Sequence, residues 1–506
     1  MPFVSPKDLG RASRSFFGVW LCGWLILSAI GALWAVANPL GNSADEPAHI
    51  ARAVAAVRGD FVGKHIPHQP GAFTEVSVPR TYALALNGSG GLTGAHNCYH
   101  FHPSVPASCE RTQISSLTVR VGTYVGHYPL LYYAVVGLPS LLTDRVTGLY
   151  LMRMLSAMLS AALLALAFAV ALEWGGSPLL VGALVVVGTP TELLLAASVN
   201  PSGLEIAAAI CVWAVGSIFV LDRASDPPRG LLLAGAGAGC VLALTRPIST
   251  LWLFLIVAVL AAAGWARVPV RTLLARHDAQ AGIGAVATAS ALAVGWVYAA
   301  GGLAIVPALR PSSSIPLTRI ASTAESQLWL GLGQTVGTFG WDNTHEPELA
   351  VFALVIALSI PLVMCVATAP SRDVRLLCVL VGLSAIVPMA LIIGAARQDG
   401  IQSQGRYFMP LWVGIPIFAA ATQRSLPSVS ARRLARTMVF LAATGIALAF
   451  WWNLHRAAVG EQGQYLPWNT PATAWRPPLP ATILDAAAIV TVGIYAAFAL
   501  RLNRRR

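Results

Sequence analysis

Twelve apolar stretches separated by polar loops set the plan of this chain. They lie near residues 16–37, 149–172, 178–198, 203–221, 230–245, 248–265, 281–301, 349–368, 374–394, 407–423, 437–453 and 481–500. Each is about as long as a bilayer-spanning helix requires, the shortest relying on tilt or burial. A further apolar patch, Pro129 to Leu142, is too short to cross unaided. Its status decides the parity of every loop that follows.

Arginine placement resolves the parity. With Pro129–Leu142 not counted as a span, several arginine-bearing loops fall on one side of the membrane. They hold Arg223 and Arg229, then Arg267, Arg271 and Arg276, then Arg372 and Arg375, then Arg424, Arg432, Arg433 and Arg436, and the Arg501–Arg506 tail joins them. The positive-inside rule makes that side the cytoplasm; counting the patch as a span reverses the bias. The expected fold is an all-α polytopic integral membrane protein, one domain over residues 1–506. It has about twelve transmembrane helices, cytoplasmic N- and C-termini, and a re-entrant or interfacial helix at Pro129–Leu142. The loop Glu173 to Ser177 has no positive charge and gives this topology no support. Lys7, Arg11 and Arg14 ahead of the first stretch resemble a signal peptide, but the apolar region is too long, so an uncleaved signal anchor is expected.

Three sizeable segments then face outward: 38–148, 302–348 and 453–480. The first carries His49, His65, His68, His96, His100, His102 and His127 and is expected to hold interfacial helices. It is not expected to form a separate domain, because residues 119–142 return to the membrane too soon.

Composition agrees with the pattern. The chain is 56% hydrophobic and 11% charged, with a mean hydropathy of +0.68, more apolar surface than one soluble core could hide. The net charge of +12 is accounted for by arginines in short loops, and no nucleic-acid motif is present. Lys occurs only at Lys7 and Lys64; arginine usage with Ala-Val-Leu-Gly richness points to a high-GC bacterium.

Of seven cysteines, Cys22, Cys211, Cys240, Cys365 and Cys378 lie in apolar stretches, where Cys acts as a small hydrophobe. Cys98 and Cys109 share an outward aqueous loop, where a disulfide would stabilise by about 3 kcal/mol on chain-entropy grounds. The competing reading is a zinc site with His96, His100 and His102, whose spacing matches no standard finger.

Three polar clusters could carry chemistry. Acidic residues are scarce, 21 in the whole chain, yet Asp45-Glu46-Pro47-Ala48-His49 places two of them beside a histidine just past the first apolar stretch. Solvation, or Asp45 as an N-cap with proline in the first turn, is the bland reading. The functional one makes Asp45 or Glu46 a general base toward a hydroxyl, or lets Asp45, with His49, hold a divalent cation such as Mg2+ or Mn2+. The second cluster, Gly337 to Glu348, contains Trp341, Asp342 and His345, an aromatic face among polar groups that suits a sugar; a loop-to-helix junction at Pro347 explains it equally. The third, Ser403 to Pro410, contains Gln404, Arg406 and Tyr407. An outward Arg406 could grip phosphate through its planar donor fork, and interfacial anchoring is the alternative. Arg246 and Asn200-Pro201-Ser202, at outward helix ends, carry a similar suspicion.

These landmarks, with His127-Tyr128-Pro129-Leu130-Leu131-Tyr132-Tyr133, the Cys98/Cys109 loop, Gly340-Trp341-Asp342 and Gln404-Gly405-Arg406-Tyr407-Phe408-Met409-Pro410, make the chain resemble the bacterial multi-pass family termed domain of unknown function 2142. The likeness runs from about residue 16 to 424, and the last motif is the most specific. That family in turn resembles the C-type glycosyltransferases, which use polyprenyl-phosphate sugars and carry an acidic motif in the first outer loop. The resemblance implies that Asp45, with Glu46 as the fallback, is the catalytic or metal-associated acid. The second outer acidic position of some members falls near Asn200 and is not acidic here.

The expected function is therefore a glycosyltransferase in the bacterial plasma membrane. It would move a sugar from a polyprenyl phosphate to a cell-envelope glycan, lipid or protein, with the bilayer as its other partner. Asp45 would take the acceptor proton; Arg406 and Arg246 would steady the leaving phosphate, with His49, Trp341, Asp342, His345, Gln404 and Tyr407 around the substrate. Rival readings are a transporter or flippase for lipid-linked substrates, and a non-catalytic scaffold for envelope assembly. A transporter should carry polar groups deep in several spans, in corresponding positions of two halves; few occur here, and no repeat is evident.

Overall fold

A computed structural model describes residues 6–66, 73–84, 98–110, 114–302, 316–399, 403–464, 471 and 473–504. Its helices, in chain order, begin with α1 (Pro6–Ala37), α2 (Glu46–Ala56), α3 (Leu130–Val136), α4 (Val146–Trp174), α5 (Leu179–Val187) and α6 (Pro190–Ala196). There follow α7 (Pro201–Asp222), α8 (Arg229–Ala243), α9 (Ser249–Gly264), α10 (Val270–Leu274), α11 (His277–Ala299) and α12 (Leu317–Gly337). The remainder are α13 (Glu348–Thr368), α14 (Ser371–Asp399), α15 (Met409–Trp412), α16 (Gly414–Ala421), α17 (Ser428–Val459) and α18 (Ala481–Arg504).

Among the described residues, eight helices are long and apolar enough to cross a membrane, and nine if the bent pair α5–α6 counts as one span. The pair bends by 61° at Gly188-Thr189, where the Thr189 hydroxyl accepts from the Glu192 amide and Pro190 opens the second piece. The apolar stretches near 230–245, 248–265 and 407–423 also become helices, but shorter ones: α8, α9, and the α15–α16 run. Pro129–Leu142 is a seven-residue helix, α3, followed by a 3-10 turn at Leu138–Leu141, too short to span.

Small residues let the helices approach. A side chain at Gly31 of α1 would meet the Ala157 methyl of α4 at 2.6 Å. The same two helices are tied by indole hydrogen bonds from Trp20 to the Ala162 carbonyl and from Trp24 to that of Met158. At one end of the bundle, ion pairs knit the arginine-rich loops: Arg267 to Asp373 at 2.8 Å and Arg276 to Asp226 at 3.7 Å.

The opposite end carries a feature absent from the sequence reading, a three-stranded antiparallel sheet: β1 (Lys64–His65), β2 (Thr74–Pro79) and β3 (Thr118–Thr123), in that order. Val76 pairs with Val121, and Val76, Val78 and Val121 are buried with Ile50 and Val54 of α2 in a second core. Val119 thus stands in a strand, ahead of α3. A two-stranded hairpin, β4 (Thr338–Phe339) with β5 (Thr344–His345), lies near the same end.

Candidate functional site

The site is built on the turn between α1 and α2. Asn42 donates from its side chain to the Asn38 oxygen at 2.8 Å, and the Glu46 amide to the Ser43 carbonyl at 3.0 Å. Arg153, fully buried in α4, fixes this turn with all five of its donors. Nε and Nη2 reach the two Glu46 oxygens at 2.7 and 2.6 Å, Nη1 the carbonyls of Ala35 and Asn38, and Nη2 also that of Pro39. Glu46 further accepts from the amides of Gly41 and Val199, each at 3.0 Å. Both groups are withdrawn from water and fully satisfied.

Asp45 points the other way. It stands at the N-cap position of α2 in the left-handed region, φ 63°, but its side chain caps nothing. Its Oδ2 accepts from Arg406 Nη2 at 2.5 Å, and its Oδ1 from the Tyr124 hydroxyl. The Asp45 side chain retains 19% of its exposure and that of Arg406 only 4%. Burial pushes the carboxyl up, but the Arg406 charge and the Tyr124 hydrogen bond outweigh it and hold it below its ordinary value.

Arg406 comes from the 3-10 turn Gly405–Tyr407. Gln334 of α12 accepts from the Gly405 amide at 2.6 Å, Nη1 of Arg406 reaches the Ala44 carbonyl at 2.8 Å, and Nη2 also meets Gln404. Its Nε–H is buried and unpartnered. The Tyr407 ring lies within cation–π reach of two guanidinium groups, Arg406 at 5.3 Å and Arg246 at 5.1 Å. Arg246, in the α8–α9 turn, donates to Glu205 at 2.8 Å, Ser249 donates to the other Glu205 oxygen, and the Nε–H of Arg246 is again buried without a partner. Asn200 caps α7 and also donates to the Ala44 carbonyl at 2.9 Å, a scaffold role.

A chain of rings continues from there. The Tyr128 ring lies 5.9 Å from the Arg246 guanidinium and 6.0 Å from the His49 ring; His49 Nδ1 meets the Tyr133 hydroxyl at 2.8 Å, and Arg52 lies over the Tyr133 ring at 5.4 Å. Burial pushes His49 down to about 3, with the Asp45 charge acting in the opposite sense, so the ring is neutral. Arg52 is fully buried, makes no salt bridge among the described residues, and leaves its Nε–H unpartnered.

The β4–β5 hairpin closes the site. Gly340 and Asp342 both adopt positive φ, 65° and 58°, and Trp341 donates from its indole to the Gly41 carbonyl at 3.2 Å. Asp342, Arg406, Ser43, Thr191 and Gln334 line a cavity of about 10 Å³, room for roughly one water. Burial pushes the Asp342 carboxyl up while Arg406 pulls it down, and the outcome is a raised value. The two aspartates are thus driven apart, the pattern that separates acid from base roles. His345 stands exposed at the end of β5, near enough to act on the Asp342 carboxyl.

Cys98 and Cys109 are joined in a disulfide, which corrects the zinc alternative, since bonded sulfurs are not thiolate ligands. His96 lies outside the described residues. The bridged loop is held by Arg456, which donates to the carbonyls of Tyr99, His102 and Val105, and it sets His100 against Trp341 at 5.2 Å.

Among the described residues no three His, Cys, Asp or Glu side chains converge on a point where a metal ion would fit. Both Asp45 oxygens already have donors, one of them cationic, and the Nδ1 of His49 faces Tyr133. This donor set does not suit a divalent cation.

The structure brings together Asp45, His49, Arg246, Asp342, Gln404, Arg406 and Tyr407, sets Trp341 alongside, and directs Glu46 away. Sequence reasoning missed Arg52, Arg153, Tyr124 and Gln334. Of these only Arg153 gave a signal, a charge within an apolar stretch, which costs several kcal/mol unless paired. A family described as "Predicted membrane protein (DUF2142)" matches residues 28–415, and the chain belongs to that family. No curated protein and no solved structure matches it.

Proposed function

We propose that this DUF2142 protein is a membrane glycosyltransferase that moves a sugar from a polyprenyl phosphate to a hydroxyl of a cell-envelope acceptor. The observation that carries the reading is the Asp45–Arg406 pair. A partly accessible carboxylate and a buried guanidinium share one hydrogen bond beside an apolar bundle. The arginine-rich end would face the cytoplasm and the site the outer surface.

Charge supports a phosphodiester donor. Arg52, Arg246 and Arg406 face the connected cluster, where Asp45 pairs with Arg406, Glu205 pairs with Arg246, and Arg52 makes no salt bridge among the described residues. A sugar–phosphate–lipid diester brings one negative charge to these three guanidinium groups, and the unpartnered Nε–H groups of Arg246 and Arg406 supply donors. The acceptor oxygen attacks the anomeric carbon, the bond from that carbon to the phosphate oxygen breaks, and polyprenyl phosphate leaves. Asp45 takes the acceptor proton. Negative charge developing on the phosphate draws Arg406, which relieves Asp45 of its counter-ion and raises its basicity when a base is needed. This mechanism routes no step through a metal.

The test is purified protein in lipid nanodiscs, given radiolabelled polyprenyl-phosphate sugars and envelope acceptors. Labelled acceptor with stoichiometric release of polyprenyl phosphate is expected. No turnover with any donor, together with translocation of a lipid-linked substrate in vesicles, would favour the rival flippase. The bent α5–α6 pair, with Glu192 buried and both its oxygens unpartnered, is the observation that keeps this rival.

A further inference from the structure

A second cavity, of about 260 Å³, is lined by Leu40, Glu110, Val146, Tyr150, Trp475, Arg476 and Pro478. We infer that this cavity binds a sugar ring of a glycan acceptor, so that of the three acceptor classes a glycan is the one this chain glycosylates. The inference rests on the transferase reading and narrows its acceptor.

The lining has the chemistry a sugar ring asks for. A pyranose or furanose offers a C–H face and a rim of hydroxyls. Tyr150 and Trp475, both half-buried, supply aromatic faces, and Glu110 and Arg476 supply hydrogen-bonding groups at the edge. Burial pushes Glu110 up to about 8 against the pull of Arg153, so at neutral pH it can both donate and accept, as hydroxyl partners require.

The walls are held in place independently of any ligand. Glu110 follows Cys109 of the disulfide. The Trp475 amide donates to the Ala458 carbonyl at 2.9 Å. Arg153, whose guanidinium lies 6.0 Å from the Tyr150 ring, anchors the 38–46 turn. Leu40 lines this cavity, while Ser43 and Ala44 line the one beside Asp45. Leu40 and Asp45 are five positions apart, so their Cα atoms lie within about 18 Å, a span for an oligosaccharide with its reacting hydroxyl at Asp45.

The experiment is saturation-transfer NMR on the full chain in nanodiscs. The probes are methyl glycosides of glucose, galactose, mannose, arabinose and N-acetylglucosamine, and their short oligomers. At least one probe should bind, and Trp475→Ala should weaken it about tenfold or more, with Trp475→Phe restoring much of the loss. In the transfer assay Trp475→Ala should raise the acceptor KM with kcat little altered. Failure of every probe to bind, or equal binding by correctly folded Trp475→Ala and Tyr150→Ala, overturns the inference. Transfer without saccharide binding would sink this subsite and leave the transferase reading intact; saccharide binding without consumption of any polyprenyl-phosphate sugar would do the reverse.

Discussion

The carboxylate of Glu46 meets the guanidinium of Arg153 through two hydrogen bonds, at 2.6 and 2.7 Å, and neither side chain reaches solvent. Asp45, its neighbour in the chain, faces Arg406 instead. Adjacent carboxylates have therefore been given different work: one locks the turn, and the other is left partly open beside a second arginine.

Glu46→Gln should accordingly destabilise the protein more than Asp45→Asn. It leaves a buried guanidinium without its counter-charge, a loss of about 3–5 kcal/mol, whereas Asp45 has residual access to water. The midpoint of thermal unfolding of the detergent-solubilised protein reads the difference. Equal midpoints for Glu46→Gln and the parent would show that the pair does not hold the turn.

Acidification should destabilise the fold through buried histidines. His49 and His100 are both pushed down to about 3, first by burial. Between about pH 6.5 and 3 the unfolded chain binds protons that the folded one refuses, so stability is full above 6.5 and falls with pH across that window. Asp45, whose carboxyl is held low by Arg406, adds a loss in the same direction at the acid end. His49→Gln keeps a hydrogen-bonding partner for Tyr133 and should flatten part of the slope in thermal midpoint between pH 6.5 and 4. An unchanged slope in a His49→Gln/His100→Gln double variant would rule out this cause.

The orientation of the bundle can be read by labelling. A cysteine at the exposed His345, in a background lacking Cys22 and Cys378, should react with an impermeant thiol reagent in intact cells, and one at Arg433 should not. The reverse pattern would place the site on the cytoplasmic face and remove the polyprenyl-phosphate mechanism from consideration.

The membrane helices were legible because block hydrophobicity is a long-range signal, and every predicted apolar stretch has a helical counterpart. Their lengths were less so. α8 and α9 run 15 and 16 residues, and composition alone does not say which apolar stretch leans on neighbours. The β1–β3 sheet escaped notice because β1 and β2 pair across a gap in sequence and β3 begins 39 positions after β2 ends. At the site, Asp45, Arg406 and Arg246 stood out as charges at apolar borders. Tyr124 and Gln334 did not, because a tyrosine or glutamine in a loop is ordinary until the fold places it on an aspartate or beneath an arginine.

Asp45 as the acceptor base, with Arg406 on the phosphate, makes the sharpest prediction. Asp45→Asn preserves size and hydrogen bonding but removes the basic oxygen, so sugar transfer should fall by about 10²–10⁴-fold. Donor binding should survive or tighten, since Arg406 then has no carboxylate competing for it. Arg406→Lys keeps the charge but loses the fork that now spans Asp45, Ala44 and Gln404, so donor KM should rise and kcat fall together. The pH profile separates this from a structural role. On the proposed mechanism, donor binding would turn Arg406 to the phosphate and raise the Asp45 value. The acid limb of kcat should therefore lie at higher pH than that of kcat/KM in the parent, and the two limbs should converge in Arg406→Lys. Parental transfer by Asp45→Asn would remove the base from Asp45. Loss of transfer in correctly folded Glu46→Gln, with Asp45→Asn active, would move the role one residue along.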